Sequence, residues 1–449
     1  MMELSDRSVV SERRTVAFYT LGCKVNQSET DAMADQFSDA GFTCVPFAAP
    51  ADVYVVNTCT VTHVGDSKSR QILRQATRTK PGALVVATGC YASIVRDQLP
   101  IEDILVVRNR DKDKLLPIVQ QHLDAVPDSA GHNGKPIIQG LSPALDRPRT
   151  RAMIKVQDGC DSACAYCIIP RARGRSRSTA PPEIVGRLEK LVARGHAEVV
   201  ITGVDLGSYG EDTPSYPDLA GLLNLLLATS SVPRIRVSSV EPGDFNLDWL
   251  EVWQNRRLCR HFHVPLQAGS DSVLARMRRK YDRGQYLSMI ESIRSRVPGV
   301  AITTDIITGF PGETEEEFDD GLQFIDACNF DGMHVFPYSR RPGTAAAQLD
   351  DHVSEPVKKH RAAVLRDRAE SARAAHVQRH LGSPQQVVWE CERDGVWRGL
   401  TDNNVRVFTT NRGRETSSAE TYALTGRYAD GCWGEPADIR QSVLQLVAI

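Results

Sequence analysis

Short apolar runs rich in β-branched residues alternate with longer amphipathic segments over the first 125 residues of the chain. The runs predict buried parallel strands, at 15–20, 51–56 and 83–88. The segments 28–40 and 63–80 predict helices, and they end at Gly41 and at Pro81-Gly82, which are typical helix stops. Strands that alternate with helices predict an open parallel α/β sheet with right-handed crossovers.

The same alternation returns after a polar segment, 124–148, which predicts a linker. Six apolar runs predict the strands of a second α/β domain, at 153–157, 198–203, 234–239, 261–266, 301–309 and 332–338. Helical segments lie between them, at 182–194, 218–227, 281–297 and 315–327. Six β/α units are too few for a closed eight-stranded barrel, so we expect a partial barrel that is open on one side.

From residue 381 the pattern changes to short strands separated by turns, and a charged helix, 355–380, leads into it. Strands are predicted at 386–392, 395–401, 404–409, 420–424 and 437–446. This pattern predicts a small β-barrel, an architecture that often contacts nucleic acid. The expected layout is a flexible N-terminus 1–14, an α/β domain 15–123, the linker 124–148, the partial barrel with its connecting helix 149–380, and the β-barrel 381–449.

The composition is that of an ordinary globular protein of several domains, since 41% of the 449 residues are apolar and 24% are charged. The formal net charge of −2 gives no global sign of nucleic-acid binding, so any such contact must be local. The polar start of the chain has no apolar leader, and no run is long enough to span a bilayer. Together with eleven cysteines, this predicts a cytoplasmic protein with free thiols and no membrane contact.

Cys160, Cys164 and Cys167 follow the first predicted strand of the partial barrel with C-x3-C-x2-C spacing. Three thiolates at this spacing suit three corners of a [4Fe-4S] cluster and leave the fourth iron free to chelate S-adenosylmethionine. Zinc is the alternative, but zinc sites usually take four protein ligands, and no fourth Cys or His follows at a suitable distance. Three core cysteines side by side are the remaining interpretation.

A cysteine also follows each of the first three predicted strands, and these are Cys23, Cys59 and Cys90. Ligands of open α/β sheets bind at the carboxyl ends of the strands, so we expect the three thiols to converge. The pattern predicts a second cluster with three cysteine ligands and an open iron. The alternative is three buried small hydrophobic residues, and the five other cysteines, which lack ligand spacing, are expected to be structural.

Basic clusters occur at 67–80, 171–177 and 276–283. Such clusters either follow a phosphate backbone or form solvated helix faces. The second cluster comes directly after the three-cysteine loop, so we expect its four arginines to bind RNA: Arg171, Arg173, Arg175 and Arg177. The C-terminal barrel gives less support, because residues 381–449 hold seven Arg and no Lys against nine acidic residues.

Several longer stretches carry a family resemblance over almost the whole chain. They are Thr-Leu-Gly-Cys-Lys-Val-Asn-Gln at 20–27, Cys-Ala-Tyr-Cys-Ile-Ile-Pro at 164–170, Ser-Ser-Val-Glu-Pro at 238–242 and Thr-Asp-Ile-Ile-Thr-Gly-Phe-Pro-Gly-Glu-Thr at 304–314. The chain resembles the radical S-adenosylmethionine methylthiotransferases. The motif Gly-Cys-Lys-Val-Asn around Cys23 is similar to the motif of the branch that acts on N6-threonylcarbamoyladenosine (t6A) in tRNA. The isopentenyladenosine branch typically has Gly-Cys-Gln-Met-Asn there, and the ribosomal-protein branch Gly-Cys-Pro-Lys-Asn.

The resemblance implies an enzyme that converts t6A at position 37 of tRNA to its 2-methylthio derivative with two [4Fe-4S] clusters and two S-adenosylmethionine molecules. One S-adenosylmethionine would methylate a sulfur species held at the Cys23/Cys59/Cys90 cluster. The other would yield a 5′-deoxyadenosyl radical, which can remove the unactivated C2 hydrogen. The implied partners are the tRNA anticodon stem-loop, an electron donor such as a flavodoxin or ferredoxin, and a sulfur donor, and the C-terminal barrel would be of the TRAM type.

Seven residues are candidates for binding S-adenosylmethionine, most of them because they lie at the carboxyl ends of predicted barrel strands. They are Tyr166, Gly203, Ser239, Glu241, Gln267, Thr304 and Asp305. Tyr166 would pack on the adenine and Gly203 would admit the methionine moiety, whereas Thr304 and Asp305 alternatively support the loop. Three positions depart from the family pattern: Arg108, Asp205 and Arg171 stand where a glycine, an asparagine and an aromatic residue are usual.

Other functions remain open at this point. One class of alternative is methylthiolation of isopentenyladenosine in tRNA or of an aspartate of a ribosomal protein. The sequence motif around Cys23 and the arginine-rich loop favour t6A over both. A non-enzymatic zinc protein that binds RNA through the C-terminal barrel is another class. Iron content and colour separate the last alternative from the others.

Overall fold

The computed structural model describes residues 13–96, 99, 101–125, 150–411 and 419–437. The chain divides into two units, Met1–Arg147 and Pro148–Ile449. Each unit has its own sheets and its own apolar core.

A parallel sheet with the strand order β2-β1-β3-β4-β5 forms the centre of the first unit. Its strands are β1 Thr15–Thr20, β2 Thr43–Cys44, β3 Val53–Thr58, β4 Leu84–Thr88 and β5 Ile104–Val106. Its helices are α1 Lys24–Asp39, α2 His63–Thr79, α3 Gly89–Val95 and α4 Leu115–Ala125. All three predicted strands and both predicted helices are present, and the short edge strands β2 and β5 are additions.

Strand β3 shows why its sequence is an unbroken apolar run. Tyr54 and Val56 pack into the apolar cluster on one face of the sheet, and Val53 and Val55 pack into the cluster on the other face. A parallel strand covered by helices on both sides has no solvent face, so no polar alternation is expected along it.

The second unit begins with six parallel strands in two three-stranded sheets, β10-β9-β6 and β11-β12-β13. The six strands are β6 Arg151–Lys155, β9 Glu198–Thr202, β10 Arg234–Val237, β11 His261–His263, β12 Ala301–Thr308 and β13 Gly332–Pro337. Two further short strands, β7 Gln157–Asp158 and β8 Arg177–Ser178, pair with each other as an antiparallel ribbon. Parallel bridges Ile235↔Leu258 and Ser239↔His263 join the two sheets. The result is the predicted six-stranded partial barrel.

Helices connect these strands and cover their outer side. They are α5 Ile169–Arg173, α6 Pro181–Ala193, α7 Leu219–Thr229, α8 Asp271–Arg276, α9 Arg283–Arg296, α10 Glu315–Cys328 and the connecting helix α11 Glu355–His380. Helix α10 begins with a capping box, in which Thr314 and Glu317 each bond the other's backbone N–H. In the described residues, no helix is both long and apolar enough to cross a membrane.

A closed barrel with the order β14-β15-β16-β18-β17 follows the connecting helix. Its strands are β14 Pro384–Arg393, β15 Val396–Thr401, β16 Arg406–Thr409, β17 Glu420–Tyr428 and β18 Gly431–Pro436. Strand β18 was not predicted, and the strand predicted at 437–446 lies, beyond Ala437, outside the described residues. The predicted fold class is confirmed: an α/β protein with an open parallel sheet, a partial barrel and a small C-terminal β-barrel.

A buried ion network joins the partial barrel to the C-terminal barrel. Glu198 accepts hydrogen bonds from Arg234 over 2.6 Å and from Arg236 over 2.7 Å. The same arginines donate to the carbonyl oxygens of Leu400 and Thr401, over 2.8 and 2.9 Å. Burial alone would raise the pKa of Glu198, but the two guanidinium groups outweigh it and hold the pKa well below its usual range.

Candidate functional site

The first predicted three-cysteine set lies at the carboxyl ends of β1, β3 and β4, which are neighbours in the parallel sheet. Cys23 immediately precedes α1, Cys59 directly follows β3, and Cys90 is the second residue of α3. Burial raises the pKa of Cys59 to about 11, and the charges of Cys90 and Cys23 contribute to the rise. Cys23 and Cys90 therefore both lie close enough to Cys59 to affect its charge.

Two asparagine side chains hold the turns that carry these cysteines. Asn26 donates from Nδ2 to the carbonyl oxygens of Leu21 and Thr58, over 2.7 and 3.1 Å, and so ties the end of β1 to the end of β3. Asn109 donates from Nδ2 to the Sγ of Cys90 over 3.7 Å. Sequence reasoning gave neither residue a role, because both contacts depend on which strands are neighbours.

The backbone next to the first set explains one glycine and one departure from the family pattern. Gly22 has a φ of +96°, and a Cβ at this position would lie 2.9 Å from the Sγ of Cys59. A side chain here would therefore displace a candidate ligand. Arg108, where a glycine is usual, has φ −72° and ψ 159°, a region open to any residue, so its backbone is unstrained.

The second predicted set occupies the loop between β7 and α5. The N–H of Cys160 donates to the carbonyl oxygen of Gly174, and the N–H of Cys167 donates to that of Cys164, each over 3.1 Å. Burial raises the pKa of Cys167 to about 12, and the thiols of Cys164 and Cys160 add to this. The three candidate ligands are thus held together in a short, fixed loop.

Asp205 contacts the first cysteine of this loop. Its Oδ2 accepts a hydrogen bond from the Sγ of Cys160 over 3.4 Å. Burial raises the pKa of Asp205 to about 6, and the neighbouring carboxylate of Asp244 contributes. The departure from the family pattern at position 205 therefore lies against a candidate ligand and not on a remote surface.

Gln157 connects the cysteine loop to the loop after β9. Its Oε1 accepts from the N–H groups of Val204 and Asp205, over 2.9 and 2.8 Å, and its Nε2 donates to the carbonyl oxygen of Gly159 over 2.9 Å. A Cβ at Gly203 would lie 3.0 Å from the same Oε1. The glycine at 203 thus permits this junction, and Gln157 is a site residue that the sequence reasoning missed, although it lies at the end of a predicted strand.

Three other cofactor candidates lie around the same end of the barrel. Ser239 and Glu241 follow β10, and Glu241 pairs with the guanidinium of Arg279. Gln267 has a φ of +68°. Its backbone N–H donates to the carbonyl oxygen of Asp305 in β12, and its carbonyl oxygen accepts from the N–H of Ile307, both over 2.8 Å. The loop that carries Gln267 is therefore pinned to the barrel.

Thr304 and Asp305 have different surroundings from those expected of cofactor ligands. Thr304 is fully buried, and its Oγ1 accepts a hydrogen bond from the N–H of Leu266 over 2.8 Å, so this hydroxyl supports the loop. The carboxylate of Asp305 faces His263 and His334. The structure thus favours the alternative, supporting role for Thr304 and gives Asp305 histidine partners that were not expected.

The four arginines after the cysteine loop do not share one environment. Arg171, Arg175 and Arg177 are exposed, and the side chain of Arg175 is 90% exposed. Arg173 corrects the expectation for this cluster: its side chain is completely buried and donates from Nη1 to Asp158 over 2.7 Å. Arg173 therefore cannot reach a phosphate without breaking this ion pair.

The other two basic clusters also differ from each other. Helix α2 presents three exposed cations, Lys68, Arg74 and Arg78. In the cluster 276–283, Arg276 makes hydrogen bonds with both carboxylate oxygens of Glu317, and Arg279 is buried. The first of these clusters offers a basic surface, whereas the second is largely used for internal pairing.

The donor chemistry of both cysteine sets fits an iron–sulfur cluster better than a single zinc ion. Each set offers three thiols. Structural zinc sites usually take four protein ligands, whereas three thiolates can hold a four-iron cluster and leave its fourth iron open.

Comparison with known proteins shows which family the chain resembles. Two family models match the chain, the Radical SAM superfamily over residues 154–325 and the uncharacterized protein family UPF0004 over residues 15–106. The threonylcarbamoyladenosine tRNA methylthiotransferase MtaB of Bacillus subtilis is 40% identical over 88% of this chain and 90% of its own length. The tRNA-2-methylthio-N(6)-dimethylallyladenosine synthase of Moorella thermoacetica is 31% identical over 94% of this chain and 100% of its own length.

The fold of the chain also has solved counterparts. The radical S-adenosylmethionine methyltransferase TsrM from Kitasatospora setae, solved with cobalamin and a [4Fe-4S] cluster bound, gives a TM-score of 0.54 at 18% identity and covers 74% of this chain and 77% of its own. This similarity concerns the fold. The sequence identity to the curated methylthiotransferases, which extends over most of the chain, shows that the chain belongs to the radical S-adenosylmethionine methylthiotransferase family.

Proposed function

We propose that the chain converts N6-threonylcarbamoyladenosine at position 37 of tRNA into its 2-methylthio derivative, using two [4Fe-4S] clusters and two S-adenosylmethionine molecules. The observation that carries the proposal is the presence of two separate three-thiol sets in a chain of this family. One set lies at the strand ends of the first unit and the other in the first loop of the partial barrel. The Bacillus subtilis relative is named as a threonylcarbamoyladenosine tRNA methylthiotransferase, which supports the choice of t6A.

The proposed division of labour follows the predicted domains. Residues 15–123 would hold the auxiliary cluster through Cys23, Cys59 and Cys90, and residues 149–380 would hold the radical cluster through the three-cysteine loop. Bound there, a cluster would supply the electron that cleaves S-adenosylmethionine to a carbon radical, which suits an unactivated C–H bond. Residues 381–449 would form a TRAM-like barrel that adds to RNA binding.

The residues of the chain around the second set orient and seclude this chemistry. Gln157 fixes the cysteine loop against the loop after β9 through three hydrogen bonds. Arg279 places a buried positive charge beside Cys164 and Tyr166. Tyr166, which is partly buried against the apolar core, offers its ring as one wall of the site. We propose that Gly203, Ser239, Glu241 and Gln267 line the binding site for S-adenosylmethionine.

The RNA would be held by exposed cations beside each cysteine set. Arg171, Arg175 and Arg177 follow the second set, and the basic helix α2 begins four residues after Cys59. An anticodon loop presents unpaired bases within a dense phosphate backbone, so a protein can hold the phosphates while one base enters a site. Binding should therefore weaken as salt is added.

The proposed reaction also requires partners that the chain does not supply. We propose that a small electron-transfer protein such as a flavodoxin or ferredoxin reduces the radical cluster and that a separate sulfur donor renews the transferred sulfur. A tRNA substrate implies that the protein works in the cytoplasm.

The decisive assay offers the purified, reconstituted protein three substrates under reducing conditions: tRNA that carries the threonylcarbamoyl group, tRNA that carries an isopentenyl group, and the ribosomal protein. We expect a methylthio product on the first substrate, detected by mass spectrometry of the digested nucleosides. Cys391→Ala is a matched control, because Cys391 is exposed on the C-terminal barrel and belongs to neither set. Product from the isopentenyl tRNA or the ribosomal protein, with none from the first substrate, would overturn the t6A assignment.

A further inference from the structure

Three side chains on the last strands of the partial barrel are left unused by the cluster chemistry. His263 ends β11, Asp305 lies within β12, and His334 lies opposite Asp305 in β13. The other face of β12 packs into the apolar core through Ile302 and Ile306. Because side chains alternate along a strand, the three polar side chains point away from the helices, towards the inside of the partial barrel.

The ligand atoms of these three side chains lie close enough together to hold one metal ion. They all lie within 4.8 Å of one another. The Oδ1 of Asp305 is 3.2 Å from the Nε2 of His263 and 3.0 Å from the Nδ1 of His334. Ligand atoms bound at about 2.1 Å, at octahedral to tetrahedral angles, lie about 3.0 to 3.4 Å apart. Both oxygen–nitrogen separations match this range without any movement of the chain.

A second contact orients the buried histidine. The Oγ1 of Thr303 lies 2.9 Å from the Nδ1 of His263 and 2.9 Å from the Nε2 of His261. This hydroxyl fixes the ring of His263 so that its Nε2 faces Asp305. Metal-bound histidines almost always have such a partner on the other ring nitrogen, because it sets the tautomer and the ring orientation.

The three side chains also leave one side of the site accessible. The side chain of His263 is 9% exposed, that of Asp305 is 28% exposed and that of His334 is 69% exposed. Two imidazoles and one carboxylate with open positions are typical of sites for iron and related divalent metals.

We propose that His263, Asp305 and His334 bind one divalent first-row transition ion, such as Zn²⁺ or Fe²⁺, at a site separate from both cysteine sets. The open side would be filled by water or by an oxygen atom of a bound molecule. This metal site does not depend on which substrate the enzyme modifies. An experiment that disproves the metal site therefore leaves the t6A assignment untouched, and the reverse also holds. The competing explanation is that both imidazoles simply donate hydrogen bonds to Asp305 with no ion present.

The test uses the full chain after anaerobic loading of its iron, so that the cysteines are already occupied. The protein is incubated with Zn²⁺ and desalted, and zinc and iron are counted by mass spectrometry. We expect about one zinc per chain in addition to the iron, and a zinc-edge X-ray absorption spectrum with nitrogen and oxygen ligands at about 2.0–2.1 Å and no sulfur at about 2.3 Å.

Variants decide between the two explanations. His334→Ala removes an exposed ligand and Asp305→Asn removes the charge at nearly constant shape, so both should lose the zinc and keep the iron. His360→Ala is the matched control, because His360 is an exposed histidine on α11, and it should keep both metals. The proposal is overturned if the unaltered protein binds no zinc, if His334→Ala keeps it, or if the spectrum shows sulfur ligands.

Discussion

Arg279 donates a hydrogen bond from its Nη1 to the Sγ of Cys164 over 3.1 Å. The guanidinium is 3% exposed, and the same nitrogen donates to the hydroxyl of Tyr166 over 3.2 Å. A buried cation beside a candidate cluster ligand stabilises negative charge on the sulfur. Arg279 is therefore placed to influence the reduction potential of a cluster that is bound through Cys164.

Replacing Arg279 by Gln tests this role. Reduction adds negative charge to a cluster, so loss of the cation should make the potential of the cluster held by the Cys164 loop more negative, by about 60 mV for a tenfold change in equilibrium. Redox titration followed by electron paramagnetic resonance measures the shift. Arg187→Gln is the control, because Arg187 forms an exposed ion pair with Glu183 on α6. An unchanged potential with full iron content would show that Arg279 is merely structural.

The contrast between Cys164 and Arg279 also shows what the sequence can predict. It is predictable that the three cysteines share one loop, because they lie close together in the chain directly after an apolar strand. The partner of Cys164 is 115 residues away in the chain, and no local pattern marks it. In the sequence, the run 276–283 forms one basic cluster, but in the folded protein its arginines contact different partners.

The same limit applies to burial and to sites built from several strands. Arg173 and Arg175 are indistinguishable by sequence, but Arg173 ends the short helix α5 and faces Asp158, whereas Arg175 follows the helix and faces solvent. The histidines at 263 and 334 meet Asp305 only because β11, β12 and β13 are neighbours. The strands themselves were predictable, since buried parallel strands leave continuous apolar runs.

A second prediction concerns the number of clusters. Replacing Cys160, Cys164 and Cys167 together by Ala should leave about half of the iron of the reconstituted protein, because the other three thiols lie in a different unit and need no help from these. Iron and acid-labile sulfide analysis measures this, with Cys391→Ala as the control. Full iron in the triple variant, or complete loss of iron from a folded triple variant, would contradict two independent sites.

A third prediction separates the roles of the two sets. A variant with Ala at Cys23, Cys59 and Cys90 should still cleave S-adenosylmethionine to 5′-deoxyadenosine but should form no methylthio product. The reason is that the cysteines proposed to hold the radical cluster, Cys160, Cys164 and Cys167, lie in the other unit of the chain. Liquid chromatography of the small-molecule products measures both outcomes. Absence of 5′-deoxyadenosine from a variant that keeps its second cluster would refute this division.

A fourth prediction uses the different surroundings of two neighbouring arginines. Arg175→Gln should raise the KM for tRNA and reduce the salt dependence of binding by about one phosphate contact, while leaving stability unchanged. Arg173→Gln removes the buried hydrogen bond to Asp158, which keeps Lys155 as a second cation partner over 3.0 Å. It should lower stability by about 1.5–3 kcal/mol. Binding titrations at several salt concentrations and thermal unfolding measure the two effects. Equal effects of the two changes on tRNA binding would contradict the structural assignment.

The last prediction concerns the ion pair between Glu317 and Arg276, which holds the start of α10 against α8. Arg276 donates to both carboxylate oxygens, over 2.8 and 2.6 Å, and Ser272 also donates to Glu317. The hydrogen bonds from Arg276 outweigh burial and lower the pKa of Glu317 from 4.5 to about 2. The lowered pKa means that the stabilisation is complete above about pH 4.5 and is lost as the pH falls towards 2.

Glu317→Gln isolates this charge, because Gln also completes a capping box with Thr314. We expect it to lower the free energy of unfolding by about 1–2 kcal/mol at pH 7, after allowance for solvent screening. The loss should be much smaller at pH 3, because there the charge of Glu317 stabilises the native protein less. Denaturant unfolding of the metal-free protein at both pH values measures the difference, since acid cannot then release iron. Asp319→Asn, at an exposed position on the same helix, is the control and should change stability little at either pH. An equal loss at pH 7 and pH 3 in the Glu317 variant would mean that shape, and not charge, carries the effect.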